Sequence, residues 1–211
     1  MITIYYSKLS GELPDARYEE YLSRLPLSLQ LKNRKYRNWQ DKLLNLFGKL
    51  LLMEALREFN VDSNCLNALY YDSYGRPYVS DTIDFNISHS GEYVICAADK
   101  NVRLGLDVEI IKPVHFPDFE NTMTVNEWID IKASGNQLKA FFTHWVIKES
   151  VIKADSRGLS IPLQNIVINP DSAECLGKRW HLRELMLDDA HCACLATDRP
   201  VADVMYKPIL F

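Results

Sequence analysis

The sequence predicts an α+β fold in which long helices alternate with groups of short strands. Residues 38–59 repeat leucine and phenylalanine at three- and four-residue intervals, the spacing of an amphipathic core helix. Residues 66–111 change to short apolar runs separated by turn residues, which is typical of antiparallel strands. The same order then returns, because residues 125–131 and 138–155 have helical spacing and residues 164–211 resemble short strands again.

Two features precede the first long helix. Residues 1–10, MITIYYSKLS, alternate bulky and polar side chains and predict a first strand. Residues 31–39, LKNRKYRNW, concentrate four basic side chains beside two aromatic ones. This pattern fits a solvated basic turn and an anion-binding segment equally well.

The order of strand, helix and strands occurs twice, which a duplicated α+β unit would explain. YVICAADKNVRLGLDVEI and HCACLATDRPVADVMYKPI share a small-residue strand, a turn with aspartate and a second strand. A chance match between two ordinary hairpins explains the similarity equally well. A duplication would place the boundary near residues 103–112, after which residues 112–124, with two prolines, predict a loop.

Composition limits the class of protein. With 211 residues and 47% hydrophobic content, the chain can bury a core as one domain or as two subdomains of about 100 residues. A net charge of −4 gives no general attraction to nucleic acid or anionic lipid. We find neither a signal peptide nor an apolar stretch long enough to span a membrane. Five cysteines, an odd number, indicate reduced thiols and predict a cytoplasmic protein.

Carboxylates and a lysine recur at spacings that favour chemistry. Asp107 and Glu109 lie two apart in an apolar strand, GLDVEI, so both point to the same face of a sheet. Trp145, Glu149 and Lys153 recur every four residues, so a helix places them on one face. Carboxylates without a cysteine or histidine cluster suit Mg²⁺. The alternative is an ordinary surface pair of Glu149 and Lys153.

FNISHSG contains a candidate anion site. His89 lies between Ser88 and Ser90, in a predicted turn that would present an imidazole, hydroxyls and backbone N–H groups. The alternative is a histidine that only forms hydrogen bonds within a loop.

Four segments together resemble the surfactin-synthetase-activating type of 4′-phosphopantetheinyl transferase. They are GRP at 75–77, FNISHSG at 85–91, GLDVE at 105–109 and WVIKESVIKADSRGLS at 145–160. The specific element is the combination of G-x-D-x-E with W-x-x-K-E-x-x-x-K about forty residues later.

This resemblance implies two pseudo-symmetric subdomains, each a small, largely antiparallel sheet packed with a long helix, and an active site in the cleft between them. Residues 1–104 would contact the nucleotide end of coenzyme A, and residues 105–211 would hold Mg²⁺ and receive the carrier protein. The enzyme would transfer the phosphopantetheine arm of coenzyme A to a serine of an apo acyl, peptidyl or polyketide carrier protein. The second product would be adenosine 3′,5′-bisphosphate.

The resemblance also implies roles for individual acidic and basic residues. Asp107, Glu109 and Glu149 match the family's metal ligands, with Glu149 also the candidate base for the carrier serine. Lys153 would stabilise the phosphate during transfer. Glu127, in TVNEW, matches a further acid of the family that would act through water or as an alternative base.

Gly75, Arg76, Ser88 and His89 match positions that meet the nucleotide end of coenzyme A, with His89 suited to the 3′-phosphate and Lys32 a second contact. The chain departs from the family pattern in its first long helix. Many relatives have an arginine there, where this chain has Leu44. The basic residues expected to compensate are Lys32, Arg34, Lys35 and Lys42.

Two other functions are compatible with parts of the sequence. One is a noncatalytic module that binds coenzyme A or a carrier protein, and the other is a Mg²⁺-dependent nucleotide phosphohydrolase. We expect the carrier to dock on residues 110–140, whose apolar side chains could instead pack the subdomain. The expected positions are Val114, Phe116, Phe119, Met123 and Trp128. We also expect a monomer, since one chain would supply both sides of the cleft.

Overall fold

A computed structural model describes the backbone of residues 1–211 and all side chains except those of Ser63 and Ala68. The chain forms two compact units. The first contains Met1–Asn101 together with Ala202–Phe211, and the second contains Val102–Val201.

Five α-helices and eleven strands are present in the described chain. The helices are α1 (Asp15–Leu22), α2 (Leu27–Asn33), α3 (Trp39–Arg57), α4 (Val125–Ala133) and α5 (Gln137–Asp155). The strands are β1 (Ile2–Lys8), β2 (Tyr70–Tyr71), β3 (Pro77–Tyr78), β4 (Ile83–Ser90), β5 (Tyr93–Lys100), β6 (Leu104–Ile110), β7 (Ile166–Asn169), β8 (Ser172–Cys175), β9 (Lys178–Glu184), β10 (His191–Thr197) and β11 (Val204–Pro208). The predicted α+β class and the positions of the two long helices are confirmed, while α1 and α2 were not predicted.

The first unit packs α3 against a four-stranded sheet. The strand order is β11-β1-β5-β4, in which β1 and β5 are antiparallel, β4 and β5 form a hairpin, and β11 runs parallel to β1. Helix α3 begins at the N-cap residue Asn38, whose side chain accepts a hydrogen bond of 2.7 Å from the backbone of Gln40. Its apolar face packs on β5, β1 and β4, as the leucine spacing of this segment predicted.

The second unit packs α5 against a five-stranded antiparallel sheet of order β6-β10-β9-β8-β7. Helix α5 contacts β6 and β10, and α4 packs on α5. Both units therefore repeat one topology, in which a strand and a helix are followed by a hairpin whose last strand pairs with the first. The two sequences that were similar to each other contain the equivalent strands β5 and β10.

The C-terminal strand belongs to the first unit. Strand β11 pairs with β1 from Ile2 and Val204 to Tyr6 and Pro208. The units divide after Asn101, whereas the sequence placed the boundary after residue 104 and assigned all of 105–211 to the second subdomain. The difference arises because strand pairing, which joins residues far apart in the chain, determines where β11 lies.

Gly105 allows β6 and α5 to approach each other closely. A Cβ atom built on this residue would overlap the carbonyl oxygen of Ser150 and the backbone nitrogen of Ala154. Both atoms are helix backbone, which has little freedom to move aside. The glycine of GLDVE is therefore required for packing.

Lys148 joins three segments of the second unit from a fully buried position. Its Nζ atom donates hydrogen bonds to the carbonyl oxygens of Leu163 (2.9 Å) and Ile166 (3.4 Å), and it lies 2.9 Å from Oε2 of Glu127. Glu127 in turn accepts a 2.7 Å hydrogen bond from the backbone of Thr124 within a capping box that begins α4. Burial lowers the pKa of Lys148, and the pairing with Glu127 opposes that shift. These contacts fix α5 relative to α4 and to the segment before β7.

The structure adds two observations on protein class. All five cysteines are free thiols. No helix of the described chain is both long and apolar enough to cross a membrane.

We predict that Gly105→Ala lowers the free energy of unfolding by at least about 3 kcal/mol, because the new methyl group would force α5 away from β6. Urea denaturation of the purified variant measures this loss. Gly48→Ala is the matched control, since a Cβ there would meet only side-chain methyl groups, those of Ile87 at 3.0 Å and Val94 at 3.5 Å, and no backbone atom within 4 Å. The control is expected to stay within about 1 kcal/mol of the wild type, because alanine also favours the helix. Equal stability of the two variants would contradict the role of Gly105.

Candidate active site

The packing of β6 against α5 brings three carboxylates and one ammonium group together. Asp107 is buried, and Glu109 projects from the same face of β6. Glu149 and Lys153 lie one turn apart on α5. Burial, together with the negative charges of Asp107 and Glu109, raises the pKa of Glu149 to about 7, and the positive charge of Lys153 opposes this shift. The structure thus groups the four residues that the sequence predicted.

Lys153 is oriented by β6. Its Nζ atom lies 2.5 Å from Oδ1 of Asp107 and donates a 3.3 Å hydrogen bond to the carbonyl oxygen of Leu106. The ammonium group therefore offsets part of the repulsion between the carboxylates. The sequence also allowed an ordinary surface pair of Glu149 and Lys153. The structure differs from it, because Lys153 pairs with the buried Asp107.

The carboxylates of Asp107, Glu109 and Glu149 are oxygen ligands of the kind that bind hard cations. Three carboxylates that repel one another gain stability from a bound divalent ion, and oxygen ligands favour Mg²⁺. Among the residues whose side chains are described, however, no three acidic, histidine or cysteine side chains are already arranged to hold a metal ion. The carboxylates are therefore ligands of the kind that Mg²⁺ prefers. One of their oxygens, Oδ1 of Asp107, is hydrogen-bonded to the Lys153 ammonium group and would have to be released to bind a cation.

Two other residues of the α4 and α5 region have structural roles. Trp145 packs against Phe119 and Phe141, with ring centroids 5.4 and 6.0 Å apart, so it belongs to the core. The carboxylate of Glu127, expected near the metal or as an alternative base, is bonded to Lys148 and to the start of α4. A sequence pattern gives no sign of the pairing between Glu127 and Lys148, because these residues lie on separate helices.

Gly75 and Arg76 lie in a tight turn between β2 and β3. Gly75 has a φ of +84°, and the side chain of Asp72 accepts a 2.9 Å hydrogen bond from the backbone of Arg76. The Arg76 guanidinium is buried, lies 2.9 Å from the carboxylate of Asp84 and donates a 3.1 Å hydrogen bond to the carbonyl oxygen of Phe85. This side chain therefore fastens the turn to β4.

Ser88 and His89 lie in strand β4, and the sequence analysis was wrong in placing them in a turn. Ser90 pairs with Tyr93, so the turn consists of Gly91 and Glu92. Because adjacent strand residues project to opposite faces, the buried Ser88 and the exposed His89 point to opposite sides of the sheet. His89 lines a cavity of about 220 Å³ beside α3.

The basic residues expected to compensate for Leu44 differ in their surroundings. Leu44 is buried against the core. The Lys42 ammonium lies 4.1 Å from the ring centroid of Tyr18, and Arg34 forms a bidentate pair with Glu19. Lys32 and Lys35 are exposed, and the Lys32 ammonium lies 5.8 Å from the ring centroid of Tyr71.

Sequence reasoning missed two polar residues of α3. Asn45 and Lys49 line the same cavity as His89. In the sequence, Lys49 falls between the apolar positions that predict the amphipathic helix. The available signal was the four-residue spacing of Asn45 and Lys49, which places both on one face together with Gly48.

An apolar groove lies on the surface of α4. It has a volume of about 560 Å³ and is lined by Phe116, Pro117, Glu120, Val125, Trp128, Ile129 and Lys132. Val125 and Ile129 are 77% and 58% exposed. Among the apolar residues expected on the docking surface, Met123 is instead buried in the core at 1% exposure.

Two protein-family models match the chain, one within each unit. Residues 14–101 match the family model described as 4′-phosphopantetheinyl transferase, N-terminal. Residues 103–196 match the model of the 4′-phosphopantetheinyl transferase superfamily.

Individual relatives agree with the family models. The 4′-phosphopantetheinyl transferase gsp of Aneurinibacillus migulanus is 33% identical over 188 residues, which cover 87% of this chain and 78% of the relative. The 4′-phosphopantetheinyl transferase Sfp of Bacillus subtilis (strain 168) is 30% identical over 170 residues, or 78% and 75% of the two chains. The L-aminoadipate-semialdehyde dehydrogenase-phosphopantetheinyl transferase of Mus musculus is 27% identical over 195 residues, or 76% and 63%. From these matches, and from the grouping of the motif residues, the chain belongs to the 4′-phosphopantetheinyl transferase superfamily.

Proposed function

We propose that this protein transfers the 4′-phosphopantetheine arm of coenzyme A to a serine hydroxyl of an apo acyl, peptidyl or polyketide carrier protein. The second product is adenosine 3′,5′-bisphosphate. The observation that carries the proposal is the grouping of Asp107, Glu109, Glu149 and Lys153 on the facing sides of β6 and α5. The names of the relatives support the same reaction.

Asp107, Glu109 and Glu149 would hold Mg²⁺ when the substrate binds. The ion would neutralise charge on the pyrophosphate of coenzyme A and favour departure of the nucleotide. The raised pKa of Glu149 supports this assignment, because it reflects burial and mutual repulsion between carboxylates that a cation would relieve.

Glu149 is the proposed base for the carrier serine. A serine hydroxyl attacks efficiently only when a neighbouring group accepts its proton, and a carboxylate is able to accept it. Glu127 is a weaker candidate, because Lys148 and the backbone of Thr124 already bond its carboxylate.

Lys153 is the proposed donor to the phosphate that is transferred. Its ammonium group is held beside Asp107 by the carbonyl oxygen of Leu106, so its position is set before substrate arrives. A positive charge positioned in advance stabilises negative charge that develops on phosphate oxygens during transfer.

Residues of the first unit would bind the nucleotide end of coenzyme A. The proposed contacts to the 3′-phosphate are Lys32 and His89, which is exposed on β4 and lines the cavity between β4 and α3. Gly75 and Arg76 would contribute through the backbone of their turn, because the Arg76 guanidinium is bonded to Asp84. We also propose that Ser88, on the face of β4 opposite His89, lies near the bound nucleotide.

The carrier protein would dock on the apolar groove of α4. Val125 and Ile129 expose large apolar side chains there, and Glu120 and Lys132 supply polar groups at the groove. An exposed apolar surface bounded by polar side chains is typical of a protein interface.

A monomeric state and a cytoplasmic location remain predictions from the sequence. Sedimentation of the purified protein tests the first, and an obligate trimer would contradict it.

The reaction is tested by the intact mass of several apo carrier proteins after incubation with the protein, coenzyme A and Mg²⁺. We expect a gain of one phosphopantetheine, abolished by EDTA. Asp107→Asn, which keeps the shape of the side chain but removes its charge, is expected to slow transfer at least about a hundredfold.

Two outcomes of this assay would contradict the proposal. Tight coenzyme A binding without modification of any carrier would indicate a noncatalytic binding module. Release of inorganic phosphate or a nucleotide in the absence of a carrier would indicate a phosphohydrolase.

We predict that Glu149→Gln stabilises the metal-free protein at pH 8 by about 1–3 kcal/mol and has little effect below pH 4.5. The folded-state pKa of this carboxyl group is raised from 4.5 to about 7. Ionisation therefore costs the folded state stability as the pH rises through this range, and the amide avoids the cost. Urea unfolding in EDTA at both pH values measures the difference.

Glu174→Gln, at an exposed position in the same unit, is the control and should show no such gain. Added Mg²⁺ should stabilise the wild type more than Glu149→Gln, since the ion binds only the folded carboxylates. A Glu149→Gln variant that is no more stable at pH 8 than the wild type would refute the repulsion between the carboxylates.

Ile129→Asp should raise the KM for the carrier at least about tenfold and leave coenzyme A binding unchanged, because it places a charge in the proposed docking groove. Steady-state kinetics and calorimetry measure the two quantities. Leu176→Asp, at an exposed turn of the same unit, is the matched control. The docking proposal fails if both variants raise the KM equally or if Ile129→Asp weakens coenzyme A binding.

A further inference from the structure

The cavity between α3 and β4 lies entirely within the first unit and has polar groups on both sides. Asn45 and Lys49 line it from the helix, and Asn86 and His89 line it from the strand. Its volume of about 220 Å³ is enough for several water molecules, each of which occupies roughly 30 Å³, so a phosphate group fits.

Lys49 is an unusual residue for this position. It lies on the cavity side of α3 and is partly buried, and among the described residues it has no ion-pair partner. Burial lowers the pKa of its ammonium group, the nearby ammonium of Lys32 lowers it further, and the sulfur of Cys96 opposes both effects. A partly desolvated cation without a carboxylate gains more than an exposed one from a bound anion.

The positive charge of Lys32 contributes to the lowered pKa of Lys49, in a protein of net charge −4. Like charges held close together destabilise the folded state unless an anion neutralises them. The imidazole of His89 at the same cavity adds a third nitrogen group able to donate to an anion.

Two other basic residues near α3 have partners away from the cavity. Lys42 lies over the ring of Tyr18, and Arg34 is paired with Glu19 through two short hydrogen bonds. Leu44, where many relatives have an arginine, supplies only an apolar wall of the cavity.

We propose that Lys49 is a binding residue for a phosphate monoester dianion and that it acts with His89, which lines the same cavity. On the proposed function, on which this identification of the ligand rests, the dianion is the 3′-phosphate of coenzyme A. Lys49 thereby supplies, five residues further along α3, the positive charge that Leu44 lacks.

The test compares the affinities of coenzyme A and of 3′-dephospho-coenzyme A, measured by calorimetry on the full chain. The two ligands differ only in the 3′-phosphate. The wild type should bind coenzyme A more tightly. Lys49→Met, which keeps most of the side-chain length, should weaken coenzyme A at least about tenfold and change 3′-dephospho-coenzyme A by less than about twofold.

Two variants serve as controls. Lys49→Arg keeps the charge and should retain most of the preference for coenzyme A, which also shows that a substitution at this position folds. Arg57→Met removes a cation in the last turn of the same helix, where Arg57 pairs with Glu54, and should leave both affinities unchanged.

Several results would overturn the proposal. They are equal weakening of both ligands by Lys49→Met, no weakening of either, or loss of the preference in Arg57→Met instead. A wild type that binds both ligands equally but still modifies a carrier would refute this anion site and leave the proposed function intact. A wild type that binds neither ligand would refute the proposed function itself.

Discussion

The close approach of β6 and α5 at Gly105 is the constraint on which the candidate active site depends. The absence of a side chain on Gly105 lets the helix backbone at Ser150 and Ala154 lie directly on the strand. At this distance the side chains of Glu149 and Lys153 come within range of the carboxylates that follow Gly105 on β6. A larger residue would separate the helix from the strand. It would thereby move Glu149 and Lys153 away from Asp107 and Glu109.

This arrangement costs stability, which other contacts offset. Burial and the neighbouring negative charges raise the pKa of Glu149 to about 7, which is a destabilising effect at neutral pH. Lys153 returns part of that energy by pairing with Asp107. Lys148, next to Glu149 in the chain but buried on another side of α5, fixes the helix through Glu127 and two carbonyl oxygens. Such opposition between function and stability is common at sites that bind charged ligands.

The two units share a topology but differ in the charge of their helix and strand residues. In the second unit, α5 and β6 present mainly carboxylates, which suit a cation. In the first, α3 and β4 place Lys49 and His89 at a cavity, which suits an anion. A substrate that carries phosphate groups and binds Mg²⁺ requires both kinds of site. The same supersecondary unit thus supports complementary chemistry through a few side chains.

The sequence by itself determined what depends on local periodicity. The two-residue spacing of Asp107 and Glu109 and the four-residue spacing before Lys153 fixed the faces of β6 and α5, and the motifs identified the family correctly. Only the tertiary structure decided the rest. It placed β11 in the first unit and buried the ion pair of Arg76 with Asp84 of β4. It also placed Lys49 in the wall of a cavity. These outcomes depend on which elements pack together, and residues distant in the chain have no common period that a sequence could reveal.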